Sequence, residues 1–216
     1  MSKVLSSLTR FLSGLLFLTS LTLSAAASAQ NAPAEGKDYR ALRPAQATDA
    51  GAGKIEVIEF FWYGCPHCNA FEPVLNDWIK KQGADVVVRR VPVAFNASLV
   101  PHQRLYYALD ALGKETELRA KVFAALHVEH NPMNKEEVMA DWAAKNGIDR
   151  KKFLDAYNSF TVQTKTARAA QMADAYGVDG VPMMAVNGKF TVPNSGNTLR
   201  IVDYLVARER MAGGKK

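Results

Sequence analysis

The segment Phe60-Phe61-Trp62-Tyr63-Gly64-Cys65-Pro66-His67-Cys68 holds both cysteines of a 216-residue chain, separated by two residues. Ahead of it, Lys54 to Phe61 is apolar on both faces apart from Glu56 and Glu59, the pattern of a central strand. Behind it, His67 to Lys81 sets Phe71, Val74 or Leu75, and Trp78 at helical spacing. Pro66 falls in the first turn, where a helix tolerates proline best, and Pro73 is expected to kink the helix. A cysteine at such a junction meets unpaired backbone N–H groups and the positive end of the helix dipole, which favour thiolate over thiol. A second cysteine one turn further in is placed to close a disulfide with the first. The pair is a candidate redox centre.

Outward from this centre, Gly83 closes the helix and Asp85 to Val93 reads as a second strand. Strand, helix, strand implies a parallel βαβ unit with a right-handed crossover. Upstream, Tyr39-Arg40-Ala41-Leu42 reads as a short edge strand ended by Pro44, and Asp49 to Gly53 as a turn. From Ala97 to Tyr176 four or five helices are expected, with breaks at Gly113, Asn131-Pro132, Gly147 and Asn158-Ser159. Asn134-Lys135-Glu136-Glu137 resembles a capped start, and Asp149 is placed to cap Arg150 to Tyr157. Sheet returns with Met183 to Val186, the hairpin signal Asn187-Gly188, and Lys189 to Val192. Thr198 to Met211 closes the chain as a helix with Leu199, Val202, Leu205 and Val206 on one face. The expected class is α/β: βαβ, an all-helical insertion, then ββα, with helices on both faces of one sheet.

The first 29 residues stand apart. Lys3 and Arg10 make a positive start with no acidic residue, Phe11 to Leu23 is apolar, and Ala27-Ser28-Ala29 ends the segment in small residues. This is the layout of a secretory signal peptide cut before Gln30, with an apolar core too short to span a bilayer comfortably, which takes ~20 residues. Its removal takes the formal charge from +6 to +4, since 27 basic residues become 25 against 21 acidic. A mildly basic surface without a compact Lys/Arg run and interleaved aromatics argues against nucleic acid as a partner. The address implied is extracytoplasmic and oxidising. The segments expected are 1–29 signal peptide, 30–96 first part of the sheet domain, 97–170 helical insertion, and 171–216 second part.

Glu59-Phe60-Phe61 leading into Cys65-Pro66-His67-Cys68, Phe71-Glu72 after it, the helical block, and Gly180-Val181-Pro182 followed by Val186-Asn187-Gly188-Lys189 together resemble the periplasmic thiol:disulfide interchange proteins of DsbA type. The resemblance covers essentially the whole chain after the first 29 residues. It implies a thioredoxin-like fold with a helical insertion, a monomer, and a disulfide donated to newly secreted, unfolded proteins. It also implies re-oxidation by a membrane partner of DsbB type, and a cis bond at Pro182 placed against Cys65 with the Val181 backbone free to pair with an extended client.

Within this frame Cys65 is the candidate nucleophile and Cys68 its sheltered partner, as exchange through a mixed disulfide requires. His67 is placed to donate a hydrogen bond or a charge to the Cys65 thiolate. A structural disulfide is the weaker reading, because so small a loop removes little unfolded-chain entropy. So is a zinc site, because His102, His127 and His130 lie in the helical block and no second cysteine pair exists. No flavin, metal or nucleotide motif is present, so the disulfide is the expected redox group and no further cofactor is expected. Glu59 is either a buried acid that passes protons to or from Cys68 or a strand residue reaching solvent, the latter being the reading preferred for Glu56. Arg89 or Arg90 is a charge partner for Glu59 on the next strand, and Trp62 and Tyr63 shield the disulfide or simply pack. Two other functions compete. One is a disulfide isomerase or reductase kept reduced by a membrane donor, for whose separate dimerisation region no room is expected before Lys54. The other is a peptide-binding holdase in which the cysteines are incidental.

Overall fold

The computed structural model describes residues 32–213. The expected signal peptide, 1–29, lies outside them. Strand β2 (Ile55–Phe61) is buried at all seven positions, because it pairs on both sides: parallel to β3 (Val86–Pro92) and antiparallel to β4 (Met183–Val186). Strand β5 (Phe190–Pro193) continues the sheet and the two-residue β1 (Arg40–Ala41) ends it, in the order β1-β5-β4-β2-β3. Helix α1 (Pro66–Ile79) joins β2 to β3. Between β3 and β4 lie a 3-10 turn at Ala97–Leu99 and five helices: α2 (Val100–Ala111), α3 (Glu115–His127), α4 (Glu136–Lys145), α5 (Arg150–Tyr157) and α6 (Phe160–Ala175). Helix α7 (Thr198–Gly213) follows β5. The chain is the expected thioredoxin-like α/β fold with a helical insertion. Helix α6 runs on to Ala175, across the boundary drawn after residue 170.

Alternation along β2 sends successive side chains to opposite faces, and each face has its own cover. Val57, with Met184, Val186, Phe190 and Val192, packs on Leu75 and Trp78 of α1 and on Ile201, Val202, Leu205 and Val206 of α7. Ile58 and Phe60, with Val91, Met183 and Ala185, pack on Ala169, Ala173 and Tyr176 around α6. A third cluster fills the insertion with Leu105, Leu109, Leu118, Val122, Met139 and Phe153, and it takes in Phe61, Tyr63, Cys65 and Cys68. Each large apolar side chain fully removed from water contributes roughly 1.5–3 kcal/mol, so the insertion and the cysteine segment are stabilised by the same burial.

Burial on both faces also corrects one expectation. Glu56 does not reach solvent: it is buried, and its Oε1 accepts from Arg89 Nη1 at 3.1 Å and from the Asp49 backbone N–H at 3.0 Å. A second correction concerns Asn134. Helix α4 starts at Glu136 with Lys135 as its N-cap and no side-chain cap, since the chain enters through Met133 in a left-handed conformation (φ 48°). Asp149 caps α5 as expected, its Oδ1 accepting from the Lys152 N–H at 2.8 Å.

Side chains of α2 occupy the C-terminal end of the open side of β3. Gln103 Nε2 donates to the Pro92 carbonyl at 2.8 Å, and the Tyr106 hydroxyl donates to the Arg90 carbonyl at 3.2 Å. At the other end of the sheet, Asn187 and Gly188 both have positive φ (51° and 65°), the geometry of a type I′ hairpin. The Gln46 N–H donates to the Gly188 carbonyl at 2.8 Å. A side chain at Gly188 would overlap the Gln46 carbonyl oxygen as well as force a left-handed backbone on an L-residue. Gly188→Ala is therefore expected to cost about 2 kcal/mol, read as a lower urea midpoint. An unchanged midpoint would contradict the close approach of the Gln46 segment.

Candidate active site

The sequence folds into a site here because β2 ends inside the core while α1 starts at its surface. A turn closes the gap, the Cys65 N–H donating to the Trp62 carbonyl at 3.0 Å. Cys65 is the N-cap of α1 with extended backbone (φ −84°, ψ 118°), and Pro66 occupies the first helical position, where it has no N–H to leave unpaired. The two cysteines are free thiols of unequal access. Cys65 is 7% exposed and Cys68 is fully buried. The Cys65 thiol donates to the Val181 carbonyl at 3.4 Å, across the cis Val181–Pro182 bond. Pro66 and His67 are exposed. His67 makes no hydrogen bond to Cys65 among the described residues.

Burial pushes the Cys68 thiol far up, opposed by a hydrogen bond from the Trp62 backbone and reinforced by the nearby Cys65 and Glu59. Trp62 thus touches both cysteines through its main chain. Its indole lies over Gly64, where any side chain would collide with the ring. Tyr63 packs edge-on against Phe61 and Phe123, with centroids 5.1 Å away in each case.

Glu59 is buried and faces Arg90, its register partner on β3, with Arg90 Nε donating to Glu59 Oε2 at 3.0 Å. The choice left open between Arg89 and Arg90 falls to Arg90, because Arg89 serves Glu56. Arg90 also donates to Glu72 Oε1 at 3.0 Å and to Asn76 Oδ1 at 2.6 Å. The chain of charge continues through Arg119, 3.5 Å from Glu72 and 2.7 Å from Glu115, and Glu115 accepts from the Tyr63 hydroxyl at 2.8 Å. The Arg119 guanidinium lies 4.7 Å from the centroid of Phe61, so its faces are covered by aromatic carbon while its edge meets carboxylates. Arg119 and Glu115 gave no signal in the sequence, since a helical Glu and Arg four apart read as a solvated pair.

This network holds three carboxyls, Glu59, Glu72 and Glu115, against two guanidiniums. One carboxyl is in excess, and Glu59 is where a proton is held. Burial raises it from 4.5 to about 7, although Arg90 and Arg119 pull the other way. Its Oε1 is buried without a hydrogen-bond partner among the described residues. A carboxyl raised on folding favours the native state below its unfolded value and loses that advantage as pH climbs through its folded value. The reduced protein is therefore expected to lose stability between pH 4.5 and about 7 relative to Glu59→Gln, by at most on the order of 3 kcal/mol. Urea titrations of both proteins across that range test this, and parallel curves would contradict the assignment of the proton to Glu59.

The fold agrees with that of known proteins. Residues 56–199 match the family model of the DsbA-like thioredoxin domain. The thiol:disulfide interchange protein DsbA of Burkholderia cepacia is 44% identical over 202 residues, 91% of this chain and 95% of that protein. The DsbA of Pseudomonas aeruginosa is 42% identical over 185 residues, 83% of this chain and 87% of its own. Its crystal structure superposes with a TM-score of 0.81 at 40% identity, covering 85% of this chain and 97% of that one. Reduced DsbA1 from Neisseria meningitidis superposes at 0.75 with 28% identity, covering 86% and 100%. A family match over most of the described residues, and relatives more than 40% identical across most of their length, make this chain a member of the DsbA-like thioredoxin family.

Proposed function

We propose that this thiol:disulfide oxidoreductase passes a Cys65–Cys68 disulfide to newly secreted proteins, with no redox group beyond that pair. The inequality of the two sulfurs carries the reading: one sits at a helix start beside the Val181 carbonyl, the other is sealed in the core. A client thiolate attacks Cys65 Sγ, the Cys65–Cys68 bond breaks, and Cys68 departs with the electron pair. Its strong preference for the protonated form makes it a ready proton acceptor, and Glu59, held near neutrality, is the acid suited to supply that proton. A second client thiolate then attacks the client sulfur of the mixed disulfide and Cys65 leaves. The client loses two electrons and gains a disulfide, while Cys65 and Cys68 end as two thiols.

Val181 and Pro182 are the proposed client contact. In the reduced state the Val181 carbonyl is engaged by the Cys65 S–H. A disulfide or mixed disulfide has no S–H to give, so the same carbonyl is released to accept an N–H from an extended client. Main-chain pairing of this kind is indifferent to client sequence. Exposed His67 and Pro66 border the same opening, with His67 as a donor to the Cys65 thiolate once a client has approached.

The two electrons leave Cys65 and Cys68 for a membrane re-oxidant of DsbB type, and the protein works as a monomer in the periplasm after residues 1–29 are removed. The DsbA-named relatives favour this oxidase over an isomerase or a holdase. Cys65→Ser is expected to abolish oxidation of a peptide dithiol, and Cys68→Ser, whose Cys65 thiolate attacks the disulfide of an oxidised peptide and releases one peptide thiol, to accumulate a mixed disulfide visible by mass spectrometry. Retained oxidation by Cys65→Ser would overturn the assignment. A disulfide that is readily passed on also destabilises the protein that carries it. The urea midpoint is expected to be lower for the oxidised than the reduced form, and equal midpoints would reject a strongly oxidising centre.

A further inference from the structure

Two histidines of the helical insertion reach the segment that carries the cysteines, and the thiol exchange itself uses neither. His127, the last residue of α3, donates from Nε2 to the Tyr63 carbonyl at 2.8 Å. It can do so whether neutral or protonated. His102, on α2, is different. Its Nδ1 lies 2.9 Å from Trp62 Nε1, and its Nε2 lies 2.9 Å from the Pro132 carbonyl in the loop between α3 and α4. An indole N–H only donates and a carbonyl only accepts, so Nδ1 must carry the lone pair and Nε2 the proton. Both bonds exist together only while the imidazole is neutral and in that one tautomer.

We propose that His102 is a positioning residue of the redox centre: as a neutral imidazole tethered to Pro132, it fixes the indole of Trp62 and through it the backbone that holds Cys65 and Cys68. The inference rests on the oxidoreductase reading above. The connection is short. The Trp62 carbonyl accepts the Cys65 N–H at 3.0 Å, its backbone hydrogen-bonds the Cys68 sulfur, and its ring rests on Gly64, the residue before Cys65. The two rings lie 22° from parallel with centroids 5.9 Å apart, the near-coplanar arrangement of two rings joined edge to edge through the Nε1–Nδ1 bond. Protonating His102 places an N–H against the Trp62 N–H, two donors facing each other, and frees the indole while the Tyr63 contact to His127 persists.

The surroundings keep His102 neutral. It is 7% exposed, and burial lowers its basicity from the ordinary 6.5. The backbone at Pro132 and Met133 acts in the opposite direction. From the redox segment the titratable groups are Cys65, His67, Cys68 and Tyr63, the last turned toward Glu115, and from α3 and the loop after it they are His127 and His130. None of them is among the groups acting on His102, whose charge state is set by burial against those two backbone groups. The centre should therefore be firm at neutral pH and loosen in acid, over a range below 6.5.

The test uses His102→Phe, which keeps a ring and loses both bonds, and His102→Asn, whose amide offers Trp62 an acceptor but has no proton to gain. The emission of Trp62, isolated by difference against Trp62→Phe, is followed against pH in the reduced protein, beside the rate at which the oxidised protein reacts with a peptide dithiol. Expected in the wild type is an emission change with a midpoint below 6.5, absent from both His102 variants. At neutral pH the reaction should slow about three- to tenfold in His102→Phe, the factor one net hydrogen bond represents, and recover to within about twofold in His102→Asn. In acid the wild type should fall toward the His102→Phe rate while His102→Asn does not. An emission titration that persists in His102→Asn overturns the proposal, even if His102→Phe fails to fold, and so does an unchanged rate in a folded His102→Phe. A wild type that oxidises no dithiol at any pH would sink the functional reading instead, leaving the emission titration to judge His102 by itself.

Discussion

A strand paired on both sides and covered on both faces has nowhere to put a charge, yet β2 carries two carboxyls. Much of the architecture around the active site answers that constraint. Glu56 and Glu59 project to opposite faces of the sheet, and the adjacent strand supplies consecutive arginines, Arg89 beside one carboxyl and Arg90 beside the other. Bringing Arg90 into the interior then requires further acceptors, which come from Glu72 and Asn76 on α1. Glu72 in turn meets Arg119 from the insertion, which also binds Glu115. Removing one member of such a buried set is costly because its partner is left uncompensated, so the set ties β2, β3, α1 and α3 together as a unit.

The result is a site in which chemistry and packing share residues. The insertion is bound to the sheet domain by the apolar cluster that includes Phe61, Tyr63 and both cysteines, and by three polar links to the same short segment: Glu115 to the Tyr63 hydroxyl, His127 to the Tyr63 carbonyl and His102 to the Trp62 indole. The helical block therefore shapes the surroundings of the sulfurs directly, in addition to covering one flank of the fold.

What could be read from the sequence divides along the range of the interactions involved. The strand before Cys65, the helix after Pro66, the Asn187-Gly188 turn and the Asp149 cap are specified by a few adjacent residues, and each was legible. The proximity of Cys65 to Val181 was not, because 116 residues separate them, and it was expected through family resemblance alone. Glu56 was misjudged because a lone carboxylate in an apolar strand looks the same whether it meets water or a neighbouring arginine. Asn134 was misjudged because, after a left-handed Met133, the helix starts one residue later with Lys135 as its N-cap. Arg119, Glu115, His102 and His127 were invisible as site residues for a shared reason: each acts across a tertiary contact that no local spacing encodes.

The side chains lying along β3 bear on the company this protein keeps. Unfolded polypeptides expose main-chain groups that readily add to any vacant sheet margin, and a catalyst surrounded by them risks being decorated or glued into aggregates. With Gln103 and Tyr106 occupying carbonyls on one margin, and only a two-residue strand at the other, such chains find little to zip onto. The sheet margins thus offer extended polypeptide little, in keeping with the client contact proposed at Val181 beside Cys65.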